Sequence, residues 1–298
     1  MTGGLLQEYR IHRREKSMTK WGKAPARNTI HQEIVTLRQV LKTAYRHKWL
    51  QHLPDQSEPY KTTGKLVRRA WFSPEDYKVL TEATRERANN PKRKRWAWEC
   101  EQLHDLVLFL ANTGLRPDET ARLEFRDIEI VDDRDSGQTI LEIDVRGKRG
   151  VGYCKSTVGA VYPFKRLVKR NVEKRKREAA AAAADKYQIA EIVAPEPTDR
   201  LFPRMHHELF NTVLSELDLK FDRDGQRRTL YSLRHTYISM RLMEGADIYQ
   251  IAKNCRTSVE MIEKHYAAHI KTMLDASAIN VRRPKSGKKQ KSRPKAKG

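Results

Sequence analysis

The segment EQLHDLVLFLAN (101–112) constrains the fold most. Its apolar residues are not confined to one face, so it reads as a buried helix that needs neighbours all round. Gly114 ends it, and Pro117, whose fixed φ suits a first helical turn, opens another helix over PDETARLEF. Upstream, Ser73 reads as an N-cap, with Glu75 and Asp76 in the first turn of SPEDYKVLTEA. Downstream, TILEIDVR (139–146) alternates. Leu141, Ile143 and Val145 lie on one face and Glu142, Asp144 and Arg146 on the other, as in a half-buried strand. GKRG follows as a turn, and VGAVYPF reads as a further strand. EKRKREAAAAAADKYQIAEI, residues 208–219, SLRHTYISMRLMEG and SVEMIEKHYAAHI all read as helices. No run approaches 18 uninterrupted apolar residues, so no transmembrane helix and no membrane partner are expected.

The N-terminal part is smaller and more polar. Ile34, Leu37, Leu41, Ala44 and Leu50 have helical spacing, with Asn28 and Thr29 offering a start. A shorter helix fits residues 5–17. Residues 51–70 contain two prolines and a glycine among polar residues and read as a linker.

Charge narrows the partner. The 298 residues carry a net +22, unevenly spread. Residues 1–56 hold 11 basic and four acidic side chains, and residues 281–298 hold nine basic and no acidic ones. The latter have no apolar periodicity and read as a disordered tail. A third cluster, KRLVKRNVEKRKR (165–177), has eight basic groups and one acid. With no lipidation motif or basic helix bearing an aromatic face, a polyphosphate backbone is favoured over lipid. The N-terminus lacks a signal-peptide core, and Cys100, Cys154 and Cys255 are scattered, so a reducing cytoplasm fits.

Phosphate loops, dinucleotide fingerprints and nucleophile elbows are absent, so no cofactor is expected. His265 and His269 have i,i+4 spacing but no HExxH context or third ligand, which argues against a metal. Three segments remain: TGLRPDE (113–119), TLYSLRHTYIS (229–239) and SVEMIEKHYAAH (258–269). In this order they resemble the catalytic domain of tyrosine recombinases, the phage-integrase family. DVRGKRG falls where that family has its β-hairpin lysine, and TLRQVLKTAYRHKWL resembles the last helix of its core-binding domain. The resemblance covers roughly residues 28–270.

It implies a mainly α fold with a small antiparallel β-sheet, arranged as a two-domain DNA clamp. The expected division is 1–56, a short helical core-binding-like domain; 57–69, a linker; 70–280, the catalytic domain; and 281–298, the basic tail. It further implies a site-specific recombinase that cuts and rejoins double-stranded DNA, as a homodimer or homotetramer, in the bacterial cytoplasm at the nucleoid. Tyr266 would be the nucleophile, Arg116 and Arg234 would grip the non-bridging phosphate oxygens, and Lys148 would protonate the leaving 5′-oxygen. Two positions depart from the family pattern. Tyr231 stands where a histidine usually precedes the second arginine by three residues. Thr257 stands where histidine or tryptophan usually precedes the nucleophile by nine. Both can donate a hydrogen bond to phosphate, but neither can act as an imidazole acid or base. Simpler readings exist: Arg116 as an ion-pair partner of Glu119, His235 as a packing or structurally hydrogen-bonding residue, Tyr266 as part of a helix face. A catalytically impaired DNA-binding protein and a type IB topoisomerase are the alternative functions.

Overall fold

The computed structural model describes residues 3–54, 69–134, 136–147, 150–182 and 192–270. Lys148, most of the expected linker, the second half of the alanine-rich segment and the basic tail lie outside the described residues. The chain divides into two compact units, Met1–Lys65 and Leu66–Gly298.

The first unit contains α1 (Gly3–Trp21) and α2 (Arg27–Arg46). Leu6, Ile30 and Ile34 are its buried apolar residues. Glu33 on α2 accepts from Tyr9 (2.9 Å) and pairs with Arg13 (3.0 Å), tying the two helices together. α1 runs beyond the expected 5–17. α2 begins at Arg27, not at Asn28 and Thr29. The Ala26 carbonyl accepts from the amides of Thr29 and Ile30, so those residues sit inside the first turn and no side chain caps it.

In the second unit, α3 (Pro74–Asn89) starts as expected, with the Ser73 hydroxyl accepting from the Asp76 amide. It packs on α4 (Ala97–Thr113), the central helix. Leu103, Leu106, Val107, Phe109 and Leu110 of α4 are fully buried. At roughly 1.5–3 kcal/mol per large apolar side chain, this helix contributes much of the burial free energy. Gly114 ends it at φ 66°, where a Cβ would lie 2.4 Å from the Tyr237 ring. Only glycine satisfies both the left-handed backbone and that contact.

α5 spans only Pro117–Thr120, well short of PDETARLEF. The backbone beyond it is claimed by a distant segment. The Leu123 carbonyl accepts from the Leu201 amide (2.9 Å), and the Phe125 and Arg126 amides donate to Asp199 and Pro197. These bonds pull the chain out of helix. A three-stranded antiparallel sheet follows, in the order β1 (Ile128–Asp133), β2 (Gln138–Gly147), β3 (Gly150–Lys155). β2 buries Leu141, Ile143 and Val145, as its alternation requires. VGAVYPF is not a strand. Its first residues form a 3₁₀ turn, Val158–Ala160, that runs into α6 (Val161–Ala182). Ala160, Val161, Phe164 and Leu167 are buried at helical spacing, which outweighs the β-branched content. The third strand is instead GVGYCK, paired with β2 at Ile143–Cys154 and Gly147–Gly150.

α7 (His207–Glu216) adds Phe210, Val213 and Leu214 to the main core. The described residues close with α8 (Leu230–Met243), α9 (Ile248–Asn254) and α10 (Val259–Ile270). These share a smaller core of Tyr237, Ile238, Leu242, Ile251, Ala252, Cys255, Ile262 and Tyr266. Thr229 caps α8 in a box with Ser232, and Asp247 caps α9 by accepting from the Gln250 amide.

Candidate functional site

Arg116 follows the left-handed break at Gly114 and is the N-cap residue of α5. Glu119, one turn on, does two things. Its carboxylate accepts from the Arg116 amide (3.0 Å) and pairs with the Arg116 guanidinium (2.8 Å). The ion-pair reading of Arg116 is therefore correct, and it serves to aim the side chain. The other arm of Arg116 donates to the Arg256 carbonyl (3.1 Å). Burial works against the Arg116 charge, but Glu119 and the Tyr231 phenol outweigh it and raise its pKa.

Arg234 is only 3% exposed, in the second turn of α8. It donates to two carbonyls, Gly114 at 2.5 Å and Cys255. The two arginines thus hold adjacent carbonyls, those of Cys255 and Arg256, in the turn between α9 and α10. Segments more than a hundred residues apart meet at this turn. Each guanidinium keeps further N–H donors beyond those used.

Tyr266 on α10 is buried at 7% exposure, and its hydroxyl hydrogen-bonds Nδ1 of His235. Burial pushes the Tyr266 pKa up, with Arg234 opposing. Burial also lowers the His235 pKa, to about 3, helped by the cations Arg69 and Arg234 and by His265. The imidazole is neutral at pH 7. In the tautomer with its proton on Nε2, it accepts the phenol's hydrogen bond. Of the two simpler readings of His235, the structural hydrogen bond is the one observed: it holds the phenol that the sequence singles out.

Tyr231 is half-exposed at the start of α8, its ring 5.0 Å from that of His235. Thr257 stands beside Arg256 in the α9–α10 turn, half-buried. Lys148 lies outside the described residues. Its neighbour Gly147 comes close to Glu119: a Cβ there would lie 3.2 Å from Glu119 Cγ. The end of β2 therefore abuts the carboxylate that aims Arg116. Sequence reasoning missed Arg256, whose guanidinium pairs with Glu119 at 3.3 Å. The available signal was an arginine in NCRTS where a GHS-like sequence is usual. Among the described residues, no group of three His, Cys, Asp or Glu side chains is arranged to hold a metal. Cys154 and Cys255 are buried, and burial raises both thiol pKa values, that of Cys255 to about 11, so neither is a thiolate at pH 7.

Solved structures share this fold. XerH site-specific recombinase, bound to its difH substrate in a pre-cleavage complex, matches at TM-score 0.57 and 13% identity, over 94% of this chain and 69% of that one. The Tn1549 transposon integrase, in complex with transposon right-end DNA, matches at TM-score 0.57 and 14% identity, over 89% and 81%. The same integrase with circular-intermediate DNA matches at TM-score 0.54 and 14% identity, over 92% and 85%. No family model matches the sequence, and no curated protein matches it. The mainly helical architecture with its small three-stranded antiparallel sheet is thus a tyrosine-recombinase fold.

Proposed function

We propose that this protein is a site-specific DNA recombinase that cuts and rejoins DNA through a 3′-phosphotyrosyl intermediate. One observation carries the reading. Arg116, Arg234 and Tyr266, drawn from three distant segments, converge with His235 around a single turn. Two guanidiniums suit the non-bridging oxygens of a phosphodiester because they stay charged and donate in a planar fork. Tyr266 Oη would attack phosphorus as the bond to O5′ breaks. The phosphoryl group stays on tyrosine, and the 5′-oxygen leaves with a proton, assigned to Lys148 from its place in the sequence. Attack by a 5′-hydroxyl of another strand reverses the step and rejoins DNA.

Desolvation bears on how Tyr266 loses its proton. Burial lowers the His235 pKa and raises that of Tyr266, so both shifts favour the neutral pair and make the imidazole a poor proton acceptor in this state. His235 therefore orients the phenol in this state and does not deprotonate it. A DNA phosphate at the arginines adds negative charge nearby, which raises the His235 pKa, so that with DNA bound the imidazole would take the phenol proton as the tyrosine–phosphorus bond forms. Tyr231 and Thr257 would supply hydrogen bonds to phosphate. The first unit would form the other jaw of a clamp around double-stranded DNA, with two or four protomers on the recombining sites. Among the described residues no helix is long and apolar enough to cross a membrane.

The test is covalent capture on a nicked suicide substrate. Wild-type protein should form a denaturation-resistant DNA adduct, and Tyr266→Phe should form none. An adduct that survives Tyr266→Phe would overturn the nucleophile assignment. The burial of Tyr266 favours one second reading, a protein that binds DNA without cutting it. That reading predicts a footprint and no adduct from the wild type.

A further inference from the structure

Arg256 belongs to no helix and has left-handed backbone, φ 52°. That conformation disfavours a residue with a Cβ and persists only where its surroundings over-determine it. Here the surroundings are the site. The Arg256 carbonyl accepts from Arg116. Its side chain is 11% exposed and pairs with Glu119 at 3.3 Å. Nη1 also points at the Val145 carbonyl (3.5 Å), near the end of β2, and Nη2 donates to the Gly150 carbonyl (2.9 Å), at the start of β3. β3 comes close enough that a Cβ on Gly152 would lie 3.1 Å from Arg256 Nε.

We propose that Arg256 is a positioning residue, a latch that fixes the β2–β3 hairpin against Glu119 and so sets the hairpin's register with Arg116. The effect on DNA cleavage rests on the recombinase reading; the latch itself does not. A direct phosphate contact is the competing role for such a cation. The geometry argues against it, because both terminal nitrogens are already engaged on a carboxylate and two carbonyls. Lysine cannot replace it, since a single ammonium does not reproduce a fork that reaches two strands and Glu119 together.

The experiment uses the full chain. Arg256→Gly suits the left-handed backbone, keeps the carbonyl that holds Arg116, and removes the side chain with its guanidinium. Amide exchange of the hairpin strands, residues 141–147 and 150–155, should quicken by at least about tenfold in this variant, with α4 unchanged. Adduct formation on a suicide substrate should slow by on the order of tenfold to a hundredfold, with DNA affinity unchanged. The salt slope of DNA binding should also be unchanged, whereas losing one phosphate contact would lower it by about one. Arg256→Lys should fall between wild type and Arg256→Gly in hairpin exchange. Unchanged hairpin exchange in Arg256→Gly, a lysine variant equal to wild type, or a salt slope lowered by about one would each overturn the proposal. If the wild type itself forms no adduct, the recombinase reading fails, and hairpin exchange still decides the latch.

Discussion

Two clusters in the second unit bury a carboxylate between arginines, and they differ in charge balance. In the first, Asp105 on α4 is bonded by Arg166 and Arg170 of α6, and Glu101 lies 3.6 Å from Arg170. Two acids face two bases. In the second, Glu119 is the carboxylate bonded among Arg116, Arg256 and Arg234, and backbone carbonyls accept from some of the remaining donors. A balanced cluster needs nothing more. An unbalanced one retains positive charge at low exposure, which costs solvation free energy that an arriving anion recovers. The histidine beside each cluster registers the difference. Both are depressed first by burial, but Asp105 partly relieves His104, which titrates at about 4. No acid relieves His235, which titrates at about 3.

The comparison can be broken in order of expected effect. The largest change is chemical: Tyr266→Phe should abolish the covalent adduct while leaving DNA affinity near wild type, read by gel after denaturation. Arg116→Ala or Arg234→Ala should lower the adduct rate by on the order of 3 kcal/mol, a hundredfold or more. An equal loss from Arg166→Ala would show that the two clusters do not differ in role. Asp105→Ala should act on folding instead. It leaves the largely buried Arg170 with only Glu101, while Arg166 can turn to solvent, and should cost on the order of 1–3 kcal/mol in urea unfolding.

A smaller effect is pH dependence. Unfolded histidines take up a proton near pH 6.5, while folded His104 and His235 resist until about 4 and about 3. The unfolded state therefore binds more protons below 6.5. Stability is intact above that pH and falls by on the order of a few kcal/mol down to about 4. Below that it falls further through His235 and through carboxylates held below their usual range, such as Asp133. His235→Asn should flatten part of this loss in urea midpoints taken between pH 7 and 4.5. The smallest expected change is spectroscopic. Binding of a short duplex should raise the His235 titration and leave that of His104 in place, as followed by imidazole NMR.

Legibility tracked periodicity and order. α4 and the buried face of β2 were readable because every turn or alternate residue repeats the same burial demand. The extent of α5 and the helical state of residues 158–164 were not. The first depends on backbone bonds to residues 197–201, and the second on burial at 3–4 spacing that overrides β-branched composition. β1 was missed because it is an edge strand: of Ile128, Ile130 and Val131, only Ile128 is buried. Within the site, Arg116, Arg234 and Tyr266 stood out through ordered motifs. Arg256 did not, since a lone residue in a turn has no periodicity and its partners lie over a hundred positions away.

The sequence by itself determined the helical framework, the basic character and which side chains are candidates for a site, because these follow from local pattern and side-chain chemistry. Tertiary structure alone decided which groups share a carboxylate, that His235 holds Tyr266, and that the phenol is buried and protonated. Those are properties of distance and desolvation, and both arise only when remote segments pack together.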